Sequence, residues 1–182
     1  MLFRSEKTPE FAHVSLLVGH DRQKLSKRHG ATSVAQYREQ HFLPEAMNNY
    51  LCLLGWSHPD EKDIFKPADI ASIFEMKRFS KSAALYDIEK LKWVNGQHLK
   101  ELTIDQIMDQ FGSVTHQSVE NLFNTQSADW KMEFISLFLE KVQTIEEYIP
   151  FLEDIFRETN ELKEDAQEDR KSTRLNSSHQ II

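Results

Sequence analysis

Apolar residues recur along most of the chain at the spacing of one helix face. Residues 43–54 carry their apolar side chains three or four positions apart, and this spacing predicts an amphipathic helix. Pro44 falls in the first turn of that helix and Gly55 directly follows it, as is usual at helix ends. The short apolar run at residues 14–18 is different, because a glycine bounds it, and it predicts a buried strand that ends in a loop.

Three further segments have helical patterns. A helix is predicted from Pro67 to about Phe74, after a loop at residues 57–66, and Asp87 is placed to cap another helix. Residues 130–142 present apolar side chains on so many sides that we expect a helix buried within a bundle. The chain is therefore predicted to be mainly α-helical.

Capping-box patterns mark additional helix starts. Ser33 with Gln36 predicts a short helix at residues 33–40. The same spacing of a threonine and an amide or acid recurs in two pairs, Thr103 with Gln106 and Thr144 with Glu147. Each pattern predicts a helix N-terminus whose first backbone N–H groups are bound by side chains.

The composition supports a helical protein in a reducing compartment. Among 182 residues only five are glycine and five are proline, so few tight turns are expected, and 40% are hydrophobic, enough for a core. Cys52 is the single cysteine, so the chain cannot form an internal disulfide framework or a cysteine-based zinc site. The eight histidines lack the spacing of helical metal-binding pairs, and we expect no metal site in this chain. No apolar stretch is long enough for a membrane span, and we expect the protein in the cytoplasm or in an organelle.

Charge is divided unevenly along an acidic chain whose formal net charge is -7. Residues 1–40 carry seven bases against four acids, whereas residues 139–170 carry four bases against eleven acids. This asymmetry predicts that the N-terminal part meets a polyanion. The bases concentrate in the run DRQKLSKRHGAT, residues 21–32, which holds Arg22, Lys24, Lys27 and Arg28.

The sequences at both ends of the chain differ in character from the sequence between them. The start MLFRS and the tail DRKSTRLNSSHQII resemble translations of a sequencing adapter, and the tail has no apolar periodicity. We therefore expect residues 1–5 to be an adapter-derived scar and residues 169–182 to be an adapter-derived disordered tail, neither of them part of the fold.

The basic run does not match the common glycine-rich phosphate motifs. Neither G-x-x-x-x-G-K-[ST] nor G-x-G-x-x-G occurs in it. Lys24 and Lys27 instead lie three positions apart, with the hydroxyl of Ser26 between them and Leu25 as an apolar anchor. Because mobile ammonium groups can follow phosphate oxygens during displacement, the run predicts a triphosphate site. A solvated basic loop is the alternative.

Longer blocks of sequence connect the run to a known family. KLSKR, residues 24–28, resembles the KMSKS loop of class I aminoacyl-tRNA synthetases. The text KLSKRHGATSVAQYREQHFLPEAMNNYLCLLGWS is similar to the bacterial or organellar glutamyl-tRNA synthetase family, and FSKSAALYDIEKLKWVNGQHL resembles the segment after its catalytic domain. The resemblance covers residues 6–157.

The resemblance implies a ligase. Glutamate would attack the α-phosphorus of ATP, bound with Mg2+, and the glutamyl group would pass from the adenylate to the 3'-terminal ribose of tRNA(Glu). Its partners would be ATP, L-glutamate and tRNA(Glu). The enzyme would be a monomer that does not associate with a membrane. Lys27 would be the catalytic residue, and the ATP-binding residues would be Lys24, Leu25, Ser26, Lys27 and Arg28. A second basic cluster would contact tRNA phosphates through Lys77, Arg78 and Lys81.

The resemblance also implies a division of the chain. Residues 6–32 would be the C-terminal edge of a Rossmann-type catalytic domain with its KMSKS-like loop. Residues 33–102 would form a helical stem-contact region, and residues 103–168 the first helical part of an all-α anticodon-binding domain. No HIGH-type motif precedes Lys24 in this text. We therefore expect a chain truncated at both ends, without a glutamate pocket, that forms no adenylate by itself.

Two alternatives stay open at this point. A synthetase of the glutaminyl branch would continue into β-barrels, so strands after about residue 105 would favour it. A non-catalytic helical module with an RNA-binding basic loop would bind RNA in a salt-sensitive way, and its function would not depend on Lys27.

Overall fold

The computed structural model describes residue 11 and residues 13–26, 33–111, 121 and 123–157. Its elements, in chain order, are β1 (Leu17–Val18), α1 (Val34–Glu39), α2 (Pro44–Leu53), α3 (Pro67–Ile73), a 3-10 helix (Met76–Arg78), β2 (Ala84–Leu85), α4 (Ile88–Lys100), α5 (Ile104–Phe111), α6 (Ala128–Phe138) and a second 3-10 helix (Ile145–Tyr148). Residues 149–157 continue as helix. Residue contacts divide the chain into two compact units, 1–98 and 99–182. Within the described ranges, every helix is too short or too polar to span a bilayer.

The two helix starts predicted after the basic run are confirmed. The Ser33 hydroxyl accepts from the N–H of Gln36 (3.4 Å), and the Gln36 side chain accepts from the N–H of Ser33 (3.1 Å), so a capping box opens α1. Pro44 is the first residue of α2, where its missing N–H leaves no hydrogen bond unmade. Met47 and Tyr50 are buried, and this face of α2 therefore forms part of the core of the first unit.

The predicted loop at residues 57–66 and the helix that follows it are confirmed. α3 begins with Pro67 and packs against α2. Phe74 already has extended backbone angles and ends the helix. The 3-10 helix comes next, and the chain then returns to pair with β1.

Asp87 caps α4, as predicted. Its carboxylate accepts from the N–H groups of Glu89 (2.9 Å) and Lys90 (3.3 Å), which satisfies two of the unpaired donors at the helix start. Leu91 and Val94 are fully buried. The capped end and the apolar face together hold α4 in the core of the first unit.

β1 and β2 form a two-stranded parallel sheet, with Leu17 opposite Ala84. The sequence predicted a buried strand at residues 14–18, but β1 has only two residues, and Val14 is 67% and Leu16 53% exposed. The prediction is wrong for most of the run, because in the described ranges no second layer covers the side chains of Val14 and Leu16.

In the second unit, the capping box of Thr103 and Gln106 is confirmed at the start of α5. The Thr103 hydroxyl accepts from the N–H of Gln106 (3.3 Å), and the Gln106 side chain accepts from the N–H of Thr103 (2.9 Å). Aromatic rings supply much of the core of this unit. Phe111 stacks on Phe123 with centroids 4.5 Å apart, and Tyr148 meets Phe111 edge-on at 5.4 Å.

α6 is shorter and less buried than the helix predicted at residues 130–142. It ends at Phe138, and although Phe134 and Ile135 are buried, Leu137 is 63% exposed. The prediction of burial on all sides is therefore wrong. α5 packs against α6, and no described element covers the side of α6 that presents Leu137.

The third capping pattern, Thr144 with Glu147, does not form a capping box. Thr144 precedes a 3-10 helix, and its side chain accepts no capping hydrogen bond. The N–H of Glu147 donates instead to the backbone carbonyl of Thr144 (3.3 Å), and the Glu147 carboxylate accepts from the N–H of Gln143 (2.7 Å). The tighter 3-10 turn thus uses the N–H group that the threonine hydroxyl would otherwise bind.

Candidate functional site

The basic run leaves β1 through a tight turn. The N–H of Arg22 donates to the carbonyl of Gly19 (2.8 Å), and the N–H of Gly19 donates to the carbonyl of Gln23 (2.9 Å). Arg22 adopts a left-handed φ of 59°. The Asp21 carboxylate accepts from the N–H of Gln23 (2.9 Å), a local bond typical of aspartate in turns. The turn reverses the chain, so the segment that follows runs back along β1.

The returning segment is attached to β1 by its backbone. Lys24 forms an antiparallel bridge with Val18, and the N–H of Leu25 donates to the carbonyl of Leu17 (3.0 Å). β2 also pairs with β1, since the N–H of Tyr86 donates to the carbonyl of Val18 (2.8 Å). β1 thus holds both the first lysine of the run and β2.

A cavity of about 540 Å³ opens beside this segment. It is lined by Val14, Ser15, Leu16, Leu17, Lys24, Leu25 and Ser26. Lys24 is exposed, and Leu25 and Ser26 are half-buried. The Ser15 hydroxyl is buried and finds no hydrogen-bond partner among the described residues. Apolar walls with the Lys24 ammonium group and the Ser26 side chain are a suitable lining for a small phosphate-bearing molecule.

The structure describes three of the five predicted ATP-binding residues. Lys24, Leu25 and Ser26 lie together on the wall of this cavity. Lys27, the predicted catalytic residue, and Arg28 lie outside the described residues. Their roles stay predictions.

The second basic cluster is partly neutralised by one carboxylate. Lys77 and Arg78 both lie on the first 3-10 helix, and their side-chain nitrogens are 3.1 Å and 3.2 Å from Glu75 Oε2. The hydrogen bond from Lys77, together with the positive charges of Lys77 and Arg78, lowers the pKa of Glu75. Lys81 is exposed a few residues later. All three bases therefore lie on one short surface segment, but Glu75 competes with any phosphate for two of them.

A larger groove of about 890 Å³ lies between β1, α2 and α3. Its lining includes Val14, Leu51, Ile70 and Phe74 and contains no charged side chain, so it is poorly suited to a triphosphate. Across the described ranges, no three His, Cys, Asp or Glu side chains come close enough together to hold a metal ion.

Two tyrosines near the basic run were not singled out from the sequence. The hydroxyls of Tyr37, on α1, and Tyr86, directly after β2, are hydrogen-bonded to each other. The two residues are 49 positions apart in the chain. No local pattern marks such a pair, and only the pairing of β2 with β1 brings Tyr86 to this place.

Known proteins resemble this chain in sequence over most of its length. The model of the family described as tRNA synthetases class I (E and Q), catalytic domain, matches residues 3–93. Glutamate–tRNA ligases of Natranaerobius thermophilus and Aquifex aeolicus are 37% identical over 166 residues and 36% identical over 159 residues, and each alignment covers 86% of this chain and 33% of the relative. The glutamate–tRNA ligase of Moorella thermoacetica is 52% identical over 99 residues, which cover 54% of this chain and 20% of the relative.

A solved structure has a similar fold. The crystal structure of a glutamate tRNA ligase from Elizabethkingia meningosepticum, in complex with its amino acid, matches with a TM-score of 0.66 and 30% sequence identity. The match covers 78% of this chain and 31% of that protein. The chain thus spans about a third of the length of the relatives that it matches.

Proposed function

Since the chain belongs to the class I aminoacyl-tRNA synthetases for glutamate and glutamine, we propose that it acts as part of a glutamate–tRNA ligase. In the first step, a carboxylate oxygen of glutamate forms a bond to the α-phosphorus of ATP while the bond to pyrophosphate breaks. In the second step, the glutamyl group passes from the adenylate to the 3'-terminal ribose of tRNA(Glu), and AMP leaves. ATP, with its Mg2+, L-glutamate and the tRNA are the proposed substrates.

The observation that carries this proposal is the position of Lys24, Leu25 and Ser26 on one cavity wall. Backbone bonds to β1 hold the segment in place, so the exposed Lys24 side chain extends from a fixed position on the cavity wall. Leu25 is half-buried and anchors the segment. With its backbone anchored in this way, Lys24 can stabilise the charge that develops on the phosphates without a large rearrangement of the chain.

The lysines of the run have separate proposed roles. Lys24 binds the phosphates of ATP, and Ser26 donates its hydroxyl to a phosphate oxygen. Lys27 contacts the leaving pyrophosphate at the point where the negative charge of the pyrophosphate is greatest. Arg28 occupies the position at which the class pattern has serine. The protein forms no covalent bond, so positioning and charge stabilisation account for its part in the reaction.

The domain assignment is part of the same proposal. Residues 6–32 form the edge of the catalytic domain with a KMSKS-like loop, residues 33–102 a stem-contact region, and residues 103–168 the start of the anticodon-binding domain. Lys77, Arg78 and Lys81 contact tRNA phosphates. We place the protein, as a monomer, in the cytoplasm or an organelle. In the described residues after 105, helices, a 3-10 helix and loops occur without a strand, which favours the glutamyl over the glutaminyl branch.

A substitution of Lys27 tests the proposed chemistry in the full-length protein that carries this chain. The measurement is glutamate-dependent ATP–pyrophosphate exchange in the presence of tRNA(Glu). Lys27→Ala is expected to lower the rate about a hundred- to thousandfold, the usual cost of losing one preorganised donor to a transition-state charge. Lys62→Ala is the control, because Lys62 is an exposed lysine of the same unit, 3.3 Å from Asp60.

The outcomes separate the proposed function from its alternatives. Exchange near the parent rate in Lys27→Ala would contradict the role of the lysine. Exchange that depends on glutamine instead of glutamate would favour the glutaminyl branch. RNA binding without any amino-acid-dependent exchange by the full-length protein would favour a non-catalytic module.

A further inference from the structure

Tyr86 contacts both flanks of the basic run. Its backbone N–H donates to the carbonyl of Val18 (2.8 Å), the last residue of β1 and the last before the turn. Its hydroxyl is hydrogen-bonded to the hydroxyl of Tyr37. Tyr37 lies on α1, four residues after the Ser33 cap, which directly follows the run in sequence. Tyr86, the residue directly after β2, is therefore bonded to the segment before the run and to the helix after it.

From these contacts we propose that Tyr86 is a positioning residue, which sets the separation between the two flanks of the basic run through the Tyr37–Tyr86 hydrogen bond. The proposal rests on the proposed function, because the run that the flanks hold is the proposed ATP-binding segment. Tyr86 itself does not line the cavity beside Lys24. It acts through the backbone of β1 and through α1.

The surroundings of the pair make its geometry well defined. Tyr37 is 8% exposed and meets Phe42 edge-on, with ring centroids 5.7 Å apart. Tyr86 is half-buried and meets the ring of Tyr50 edge-on at 5.9 Å. The two hydroxyls are thus held by packed rings, and few other rotamers are open to them. Burial, with the hydrogen bond to Tyr37, raises the pKa of Tyr86, so its hydroxyl stays protonated; either hydroxyl can be the donor in this bond.

The backbone around the pair is also bonded on each side. On one side, Lys24 and Leu25 are attached to β1 at Val18 and Leu17. On the other side, the Ser33 capping box fixes the first turn of α1. The bond between Tyr37 and Tyr86 is a side-chain link between these two anchored ends, and we expect its loss to let α1 shift relative to β1.

The substitution Tyr86→Phe removes the hydroxyl and leaves the ring, so the packing on Tyr50 and the backbone bond to Val18 are kept. Tyr37→Phe removes the same bond from the other end. Tyr148→Phe is the matched control, because it removes a buried tyrosine hydroxyl, which donates to the carbonyl of Ile135 (3.3 Å), from the other unit.

The first experiment uses the 182-residue chain and needs no activity. Hydrogen exchange is measured at the amides of Leu25, Gln36 and Tyr37, whose N–H groups are bonded at the flanks of the run. Tyr86→Phe is expected to speed their exchange about two- to tenfold, as one lost hydrogen bond predicts. Tyr37→Phe is expected to do the same, and the double variant no more than either single one.

The second experiment measures ATP–pyrophosphate exchange by the full-length protein that carries this chain. Tyr86→Phe is expected to lower kcat on the order of tenfold, below the hundredfold cost of a 1 Å misplacement, with the KM for glutamate unchanged. Because a merely destabilising change would also lower the apparent kcat and leave KM unchanged, kcat is calculated per folded enzyme, with the folded fraction of each variant measured by circular dichroism. Tyr148→Phe is expected to leave both the flank amides and kcat unchanged.

The two experiments fail in different ways. If the parent protein shows no glutamate-dependent exchange, the proposed function is wrong, while the amide measurement still decides whether the tyrosines link the flanks. If Tyr86→Phe leaves the flank amides and kcat at the parent values, or if the effects of Tyr37→Phe and Tyr86→Phe add in full, the positioning role of Tyr86 is overturned.

Discussion

At the scale of single residues, Asn49 shows how one buried amide organises the first unit. The side chain lies on α2 and is fully buried. Its Oδ1 accepts from the N–H of Phe65 (3.1 Å) and lies 2.9 Å from His98 Nε2, while its Nδ2 donates to the carbonyl of Asp63 (2.9 Å). Since an amide oxygen only accepts, the Nε2 of His98 carries the proton in this contact. Asn49 therefore ties the loop at residues 57–66 and α4 to α2.

Replacement of this amide is expected to destabilise the protein strongly. Asn49→Ala leaves the buried N–H of Phe65 and the carbonyl of Asp63 without their partner, and the free energy of unfolding should fall by about 2 to 4 kcal/mol. Asn48→Ala is the matched control, because Asn48 is the exposed neighbour on the same helix, and its effect should stay within about 0.5 kcal/mol. Urea unfolding of both variants measures the difference, and equal effects would contradict the role given to Asn49.

Tyr50 predicts a loss of stability at high pH. Burial raises its pKa to about 12, and its hydroxyl both donates to the carbonyl of Asp87 (2.8 Å) and accepts from the N–H of Asp87 (2.7 Å). In the unfolded chain the phenol ionises near pH 10, so the folded state binds the phenolic proton more tightly than the unfolded state does. The resulting contribution to the free energy of unfolding is complete below pH 10 and is lost between about pH 10 and 12. It amounts to about 2 to 3 kcal/mol.

The variant Tyr50→Phe separates this contribution from that of other tyrosines. It should be less stable than the parent at pH 7, because the backbone groups of Asp87 lose their partner. Its free energy of unfolding should then fall less steeply than that of the parent between pH 10 and 12. Parallel curves for parent and variant over that range would contradict the assignment.

At the scale of elements, two similar sequence patterns lead to different helix starts. Thr103 and Gln106 form a reciprocal capping box at α5. Thr144 and Glu147 have the same spacing, yet a 3-10 helix begins there and the threonine side chain makes no capping bond. A capping pattern predicts an N-terminus only when the following turn is α-helical, and the packing of Ile145 and Tyr148 into the core accompanies the tighter turn here.

The isosteric change to valine distinguishes the two threonines. Thr103→Val should lower the free energy of unfolding by about 1 kcal/mol, since it removes an N-cap hydrogen bond while keeping the side-chain volume. Thr144→Val should change it by less than about 0.5 kcal/mol, because no cap is lost. Both residues belong to the second unit, so urea unfolding compares them directly. A larger effect at Thr144 would contradict the structural assignment.

At the scale of the whole molecule, charge is distributed unevenly between segments. The basic run and the cluster of Lys77, Arg78 and Lys81 lie in the first unit, whereas residues 139–170 carry the largest acidic excess. Glu75 reduces the charge that Lys77 and Arg78 present. A polyanion such as the proposed tRNA would therefore be expected to contact the first unit. Within the cluster of three bases, Lys77 and Arg78 are paired with Glu75 and Lys81 is not.

Salt dependence of tRNA binding by the full-length protein tests this distribution. Lys81→Ala should reduce the slope of log Kobs against log salt by about 1, because one phosphate contact is lost. Glu75→Gln should tighten binding, because Lys77 and Arg78 are released from the carboxylate. Lys141→Ala, in the acidic region, is the control. A slope for Lys81→Ala equal to that of the parent would argue against a tRNA contact there.

The residues of the candidate site that are neighbours in sequence could be predicted together. A residue that only the fold brings to the site could not. Lys24, Leu25 and Ser26 were predicted as one group because the chemistry of a lysine-rich loop depends on neighbouring residues, and they do share a cavity wall. Ser15, which lines the same cavity, carried no signal. Its contribution depends on the antiparallel return of Lys24 beside β1, which no pattern in the sequence encodes.

The sequence by itself determined the helix starts, which depend on residues within a few positions of each other along the chain. The starts of α1, α2, α4 and α5 follow from Ser33, Pro44, Asp87 and Thr103, because capping bonds and proline geometry act within one helical turn. Only the tertiary structure decided that Val14 is exposed, that Thr144 makes no cap, and that Tyr86 joins β1 to Tyr37. These three features depend on which distant segments of the chain come into contact. Tyr37 and Tyr86, for example, are 49 positions apart, and only the packing of the folded chain brings their hydroxyls together.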